Sequence, residues 1–364
     1  IALVTGRDFW STAAVPRVGL RPLVLSDGPV GVRGPTMDER QPSVVFPSAG
    51  ALAATWDPAL ARDAGSALAD EAVRHGVDVV LGPTVNLHRS PLGGRTFESF
   101  SEDPVLSGEI AAGYVRGLQD GGVVACPKHY VLGDSETERM TVSVDADERT
   151  LHELYLEPFR VALEAGAGAI MSAYNAVDGV TMSENRLLDD PLVTAWGFDG
   201  VVVSDWSAVR SVAAAAAGQH LEMPGPRGAW GDALRAAVEA GEVPEALIDE
   251  KVRRILRLAE RTGALGGGLR PRLSPLDPGI LARTVLTRGA VLLQNDGILP
   301  LAVTADAPLR VALLGPGATR PRVQGGGSSE VFPVRVVTPA EALAGEVGIH
   351  LTVVDGTGPA GVEA

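Results

Sequence analysis

Five short apolar runs in this chain each end in side chains able to carry charge or move a proton. Leu23-Val24-Leu25-Ser26 leads to Asp27, and Val77 to Leu81 leads to Asn86, His88 and Arg89. Val123-Val124-Ala125-Cys126 runs into Lys128-His129, and Ala169-Ile170-Met171 reaches Tyr174-Asn175. Gly200-Val201-Val202-Val203 delivers Ser204, Asp205 and Trp206, a carboxylate beside an aromatic ring, and Asp205 is the strongest candidate for the reacting group. A charged carboxylate cannot stay in the core, so it belongs at the rim of a buried strand. Polar residues that follow successive buried parallel strands meet if those strands close into a barrel.

The elements that would position them alternate. Asp57-Pro58 reads as a cap and first turn, after which Leu60, Ala64, Leu68 and Ala72 recur at helical spacing up to Gly76. A second helix is expected over 147–165 with a bend at Pro158, an Ala-rich one near 211–217, and others over 229–240 and 244–261. This βα alternation predicts a (β/α)8 TIM-like barrel over residues 1–262. The stretch 263–279, rich in Gly and Pro, reads as a linker. Residues 280–364, with a helix over 280–294, strands at 310–314 and 350–354 and a flexible Gly-rich loop over 324–329, read as a truncated α/β sandwich domain.

Composition narrows the function. Apolar residues make up 45% of the 364 and charged ones 21%, as in a globular protein, and the net charge of −14 with no Lys/Arg cluster excludes a phosphate-backbone partner. No stretch is long enough to span a membrane as a helix. Cys126, the one cysteine, reads as a buried structural thiol. Lys128 and Lys251 are the only lysines among 31 basic residues. Lys251 reads as a solvated helix position, whereas Lys128 at a strand end suits a site that needs a compact three-donor charge. The six histidines show no metal-ligand spacing, and Leu314-Gly315-Pro316-Gly317-Ala318 lacks a phosphate-loop lysine, so neither metal nor cofactor is implied.

Two loops add specificity. Asp27-Gly28-Pro29-Val30-Gly31-Val32-Arg33 is a tight turn holding an acid and a base, or a salt-bridged surface turn. Gly93-Gly94-Arg95-Thr96-Phe97-Glu98-Ser99-Phe100-Ser101-Glu102-Asp103-Pro104 offers Arg95 to a carboxylate or to sugar hydroxyls, or pairs it with a glutamate. With Lys128-His129, Tyr174-Asn175 and Val203-Ser204-Asp205-Trp206 in this order, the chain resembles glycoside hydrolase family 3, the exo-acting β-glucosidases. The resemblance extends from Thr5-Gly6-Arg7-Asp8-Phe9-Trp10 through Gly218-Gln219-His220-Leu221-Glu222-Met223-Pro224 to Leu293-Gln294-Asn295-Asp296-Gly297-Ile298-Leu299-Pro300-Leu301.

The resemblance implies retaining hydrolysis of terminal β-D-glucosyl residues with Asp205 as nucleophile. It implies that Asp27, Arg95, Lys128 and His129 hold the sugar, that Arg33, Arg139, Tyr174 and Trp206 are further pocket positions, and that Ser328 joins them from the second domain. It also implies a cis peptide between Lys128 and His129. In chemical terms Lys128, Arg95 and His129 would donate to sugar hydroxyls, Asp27 would accept, Trp206 would present a flat apolar face, and the cations would keep Asp205 ionised. The expected partner is a small-molecule glycoside or oligosaccharide, with neither nucleic acid nor membrane. His220 stands where the family pattern has an aspartate. The family's general-acid glutamate has no match among Glu330, Glu341, Glu346 and Glu363 and is expected beyond Ala364. The N-acetylglucosaminidase branch does not fit, because Tyr130-Val131-Leu132-Gly133-Asp134 follows Lys128-His129. Two rival readings remain: a Schiff-base aldolase using Lys128, and a noncatalytic carbohydrate-binding protein.

Overall fold

The structure, a computed structural model, describes residues 1–36, 38–266, 274, 276–304 and 306–354. Strands Leu25–Asp27, Val79–Leu81 and Val124–Ala125 pair in parallel, as do Ala169–Ser172 and Val201–Ser204. Single bridges link these groups and close the ring: Tyr130 pairs with Ser172, Val203 with Leu221, and Thr5 with Glu222, all parallel. Gly6 then pairs with Thr12 and Ser11 with Val24, both antiparallel. The barrel therefore has eight extended segments, 4–7, 10–12, Leu25–Asp27, Val79–Leu81, Val124–Ala125, Ala169–Ser172, Val201–Ser204 and 220–223, of which 10–12 alone runs against the rest. The reason is length. A parallel crossover needs a dozen or more residues, and the turn at 7–10 allows only a hairpin. Asp8 organises that turn, its Oδ1 accepting from Trp10 N at 3.0 Å and Ser11 N at 2.8 Å.

Side-chain alternation sorts the strands into two cores. Val80, Ala125, Ile170 and Val202 join the helices Pro58–Arg74, Pro104–Asp120 and Glu157–Glu164. Leu25, Val79, Leu81, Val124, Cys126, Ala169, Met171, Val201 and Val203 form the other cluster. Asp27, Lys128 and Asp205 each lie two residues beyond a member of that second set, so the period of two points them the same way at the C-terminal ends of their strands.

Helices Pro58–Arg74 and Pro104–Asp120 each begin with an aspartate cap and a proline, Asp57-Pro58 and Asp103-Pro104. They touch backbone to backbone: a Cβ on Gly117 would stand 2.1 Å from the Arg62 carbonyl oxygen. The expected helix over 147–165 is interrupted by a π turn over Leu151–Tyr155, closed by Leu156 N donating to Leu151 O at 2.9 Å, just ahead of Pro158. The Ala-rich segment gives only the short turn Val212–Ala215, and the last expected helix spans Glu245–Arg261.

Lys251 is not solvated. It is 3% exposed, and burial first, then Arg254, lower its pKa to about 8. His220 is buried too. Its Nδ1 accepts from Val202 N at 2.9 Å and burial pushes its pKa well down, so a neutral acceptor fills the position. Cys126 is buried and free.

Of the stretch 263–279, residues 267–273 and 275 lie outside the described residues, as does Glu363. The next helix spans Pro278–Gly289 and stops short of 294. It packs on the barrel helices through Leu281 and Val285, with Arg288 paired to Asp57 at 2.8 Å. Strands Leu309–Leu314 and Ile349–Val354 pair in parallel, joined through the helix Pro339–Ala344. The Gly-rich loop is docked rather than free. Gly325 lies against the Phe97 ring where a Cβ would not fit, Ser329 is buried, and Ser43 N donates to Phe332 O at 2.8 Å.

Candidate active site

Lys128 and Asp27 come from strands separated by Val79–Leu81, yet Nζ reaches Oδ1 at 2.6 Å, which requires both side chains to point into the ring. Lys128 is 1% and Asp27 5% exposed. Burial opposes the Asp27 charge, but the Lys128 ammonium, a bond from Ser328 and Arg95 outweigh it and hold the carboxyl below its usual range. Asp27 is thus paired to Lys128, not locked in a surface pair with Arg33. Arg33 instead donates from Nη1 to Ser328 O at 2.8 Å and lies 5.1 Å above the Trp10 ring, with its buried Nε unpartnered.

His129 follows Lys128 across a cis peptide bond. Arg95 Nη1 lies 3.0 Å from His129 Nε2, and Arg95 Nε pairs with Glu98. Both ring nitrogens of His129 are engaged, because Nδ1 lies 3.0 Å from Asn86 Oδ1. As placed, His129 offers no free N–H to a sugar, contrary to its expected donor role. Burial, then Arg95, Lys128 and Arg139, push its pKa well below the ordinary value and keep it neutral.

Asp205 is 8% exposed and sits with Oδ2 3.6 Å from His129 Nε2. Its Oδ1 accepts from Trp206 N at 2.7 Å, while Oδ2 is buried with no hydrogen-bond partner. The cations around Asp205 oppose its burial only in part. Burial dominates and lifts its pKa to about 6, only partly offset by Arg95, Lys128, Trp206 N and Tyr174. The Tyr174 hydroxyl donates to the Trp206 carbonyl at 2.9 Å while also lying within reach of the Asp205 carboxylate. Arg139 stacks 5.0 Å over the Tyr174 ring and pairs with Glu136 at 2.9 Å. Trp206 packs against Trp10 with centroids 5.2 Å apart, and its Nε1 donates to Phe9 O at 2.9 Å.

Asn86 and Glu98 are the side chains that the sequence names without giving a role. Glu98 is 1% exposed behind Arg95, and only its place three residues after Arg95 in the loop signals the pairing. Nothing in the spacing links Asn86 to His129. A cavity of about 810 Å³ opens on the far side of Arg95 and His129, lined among others by Asn86, Arg89, Asp134 and Tyr155, and does not include Asp205 or Asp27.

The chain is 45% identical over 353 residues to a beta-glucosidase from Rhizobium radiobacter, and 44% over 356 to beta-glucosidase B from Emericella nidulans. These matches cover 94% and 96% of this chain but 42% of each relative, so the chain spans well under half the length of the relatives it matches. Beta-glucosidase 3B from Thermotoga neapolitana in complex with alpha-D-glucose superposes with a TM-score of 0.88 at 35% identity, over 96% of this chain and 53% of that one. Beta-glucosidase from Kluyveromyces marxianus in complex with glucose gives 0.88 at 34% identity, over 97% and 44%. The family model for the glycosyl hydrolase family 3 N terminal domain matches residues 17–258, a span that holds Asp27, Lys128, His129 and Asp205. The chain belongs to glycosyl hydrolase family 3.

Proposed function

We propose that this chain carries the nucleophile and sugar pocket of an exo-acting retaining β-glycosidase, a β-glucosidase, that releases terminal β-D-glucosyl residues through a covalent glycosyl ester on Asp205. The observation that carries the reading is Asp205 Oδ2, a buried carboxylate oxygen left without a partner while Oδ1 is tied to Trp206 N. Unpartnered buried polar atoms are few, and a carboxylate oxygen left bare at a strand end is a candidate reacting atom. Oδ2 attacks the anomeric carbon as the bond to the leaving oxygen breaks, and that oxygen takes a proton from a second carboxyl group, about 5–5.5 Å away in retaining enzymes. Water then cleaves the ester and returns the carboxylate. The acid is assigned to none of the described glutamates.

Asp27 and Lys128 offer an acceptor and a donor side by side for vicinal hydroxyls. Arg33, whose Nε is the other bare polar atom of the site, joins Arg95, Arg139, Tyr174 and Ser328 around the ring, and Trp206 with Trp10 presents an apolar face. The aldolase reading is disfavoured by the 2.6 Å pair with Asp27, which holds Lys128 as an ammonium rather than the free amine an imine needs. A purely binding protein would use that oxygen only to accept from a ligand hydroxyl and would form no covalent adduct. A 2-deoxy-2-fluoro dinitrophenyl glucoside tests the proposal, because its leaving group departs without a proton. It should add one fluoroglucosyl group to the Asp205 peptide and none to Asp205→Ala. Label on another carboxylate would overturn the assignment.

A further inference from the structure

Asn86 touches nearly every polar group of His129. Its Oδ1 accepts from the His129 backbone N–H at 2.8 Å and lies 3.0 Å from ring Nδ1, while its Nδ2 donates to the His129 carbonyl at 3.0 Å. A backbone N–H only donates and a carbonyl only accepts, so the amide has a single orientation. Oδ1 therefore faces Nδ1, and Nδ1 must carry the proton. Nε2 is left with its lone pair, into which Arg95 Nη1 donates at 3.0 Å. Both ends of the ring call for the same neutral tautomer.

The proton's location matters because Nε2 stands 3.6 Å from Asp205 Oδ2. A proton on Nε2 would turn that approach into a hydrogen bond, or into an ion pair if Nδ1 kept its proton as well, and occupy the one carboxylate oxygen that is free. The cations around the ring act in the same sense as the amide. Arg95, Lys128 and Arg139 face it as cations and disfavour an imidazolium, Asp205 is the anion beside it, and Glu98, Glu136 and Asp27 are turned to Arg95, Arg139 and Lys128.

We propose that Asn86 is a positioning residue for the Asp205 reaction: by fixing His129 as the neutral Nδ1–H tautomer it denies Asp205 a cationic partner and keeps Oδ2 free to attack. This rests on the reading of Asp205 as nucleophile. The test reads the ring and the reaction separately. In protein labelled with ¹⁵N-histidine, long-range ¹H–¹⁵N spectra of the unmodified chain should show His129 neutral with the proton on Nδ1 through the acid range in which the fold persists. Asn86→Asp puts a carboxylate on the Nδ1 side, which should raise the His129 pKa by about 1–3 units and place a proton on Nε2. Inactivation by the fluoroglucoside at neutral pH should then slow by about 10–100-fold, with its acid limb displaced to lower pH.

A spectrum of the unmodified chain with the proton on Nε2 would overturn the proposal, whatever any variant does. So would an Asn86→Asp protein with parental melting whose ring signals and pH profile are unchanged. Asn86→Ser, which keeps a hydroxyl in place of the amide, serves if the aspartate variant does not fold, and it should show mixed tautomers. If instead the label misses Asp205 while the ring signals behave as stated, the nucleophile assignment fails and the tautomer lock stands.

Discussion

Replacing Lys128 by Met removes the ammonium from a pair that is almost fully buried, and the cost can be set out from the geometry. At 2.6 Å the attraction between unit charges is on the order of 6 kcal/mol for an effective dielectric constant near 20. Taking both ions out of water costs several kcal/mol each, so the pair itself contributes little net stability. Removing one partner is different, because Asp27 is then a buried charge left with Ser328, Arg95 and Arg33. Lys128→Met should destabilise the chain by about 3–5 kcal/mol near neutral pH, whereas Lys128→Met with Asp27→Leu should recover most of that loss.

The pH dependence carries a sign. Without the ammonium, burial lifts the folded pKa of Asp27 above its unfolded value near 4, so the folded state binds the extra proton and the variant loses stability as pH rises through that window. In the parent Asp27 behaves oppositely, since its pKa is lowered and its contribution to stability falls only in acid, below the unfolded value. Urea unfolding at about pH 5 and pH 8 for parent, single and double variants measures both effects. A single variant that costs under about 1 kcal/mol, or a double variant as unstable as the single, would refute the reasoning.

Two further outcomes follow from single positions. The folded pKa of Asp205, about 6, exceeds the unfolded value, so parent stability declines as pH rises between the two; Asp205→Asn should be more stable by about 1–3 kcal/mol near pH 8, with the gain vanishing near pH 4, and equal melting at both pH values would contradict the burial. Gly117→Ala gains about 1 kcal/mol of helix propensity but sets a methyl 2.1 Å from the Arg62 carbonyl, so a net loss of about 1–2 kcal/mol is expected, and unchanged melting would mean the two helices are further apart.

What the sequence made legible follows the period of two. Leu25, Cys126 and Val203 are apolar and buried, and the polar residue two places on from each, Asp27, Lys128 and Asp205, continues on the same side at the end of the strand. The burial of Lys251 was legible too, though it reads at first as a solvated lysine. Ile248, Lys251, Ile255 and Leu258 follow 3-4-3 spacing, so Lys251 lies on the buried face of its helix. The antiparallel strand 10–12 was concealed because two such short segments carry no periodicity, and only the length of the turn between them fixes their sense. The role of Asn86 was concealed for another reason. It depends on an amide meeting a histidine 43 positions away, and no local pattern encodes that.

The charges of the site explain why its reactive atom can be recognised at all. Lys128 is matched by Asp27, Arg95 by Glu98 and Arg139 by Glu136, and His129 is held neutral between Asn86 and Arg95. Each of these three cations is thus paired with a carboxylate other than Asp205, and the imidazole 3.6 Å away contributes no charge. Burial therefore outweighs what opposes it at Asp205, which is why its pKa rises to about 6 although Arg95 and Lys128 lie around it. A carboxylate in that state is still ionised near neutral pH but poorly stabilised, and forming an ester removes the buried charge. The same pairing that makes Asp205 costly to fold around makes its reaction favourable, so stability gained by pairing or neutralising Asp205 should be reactivity lost.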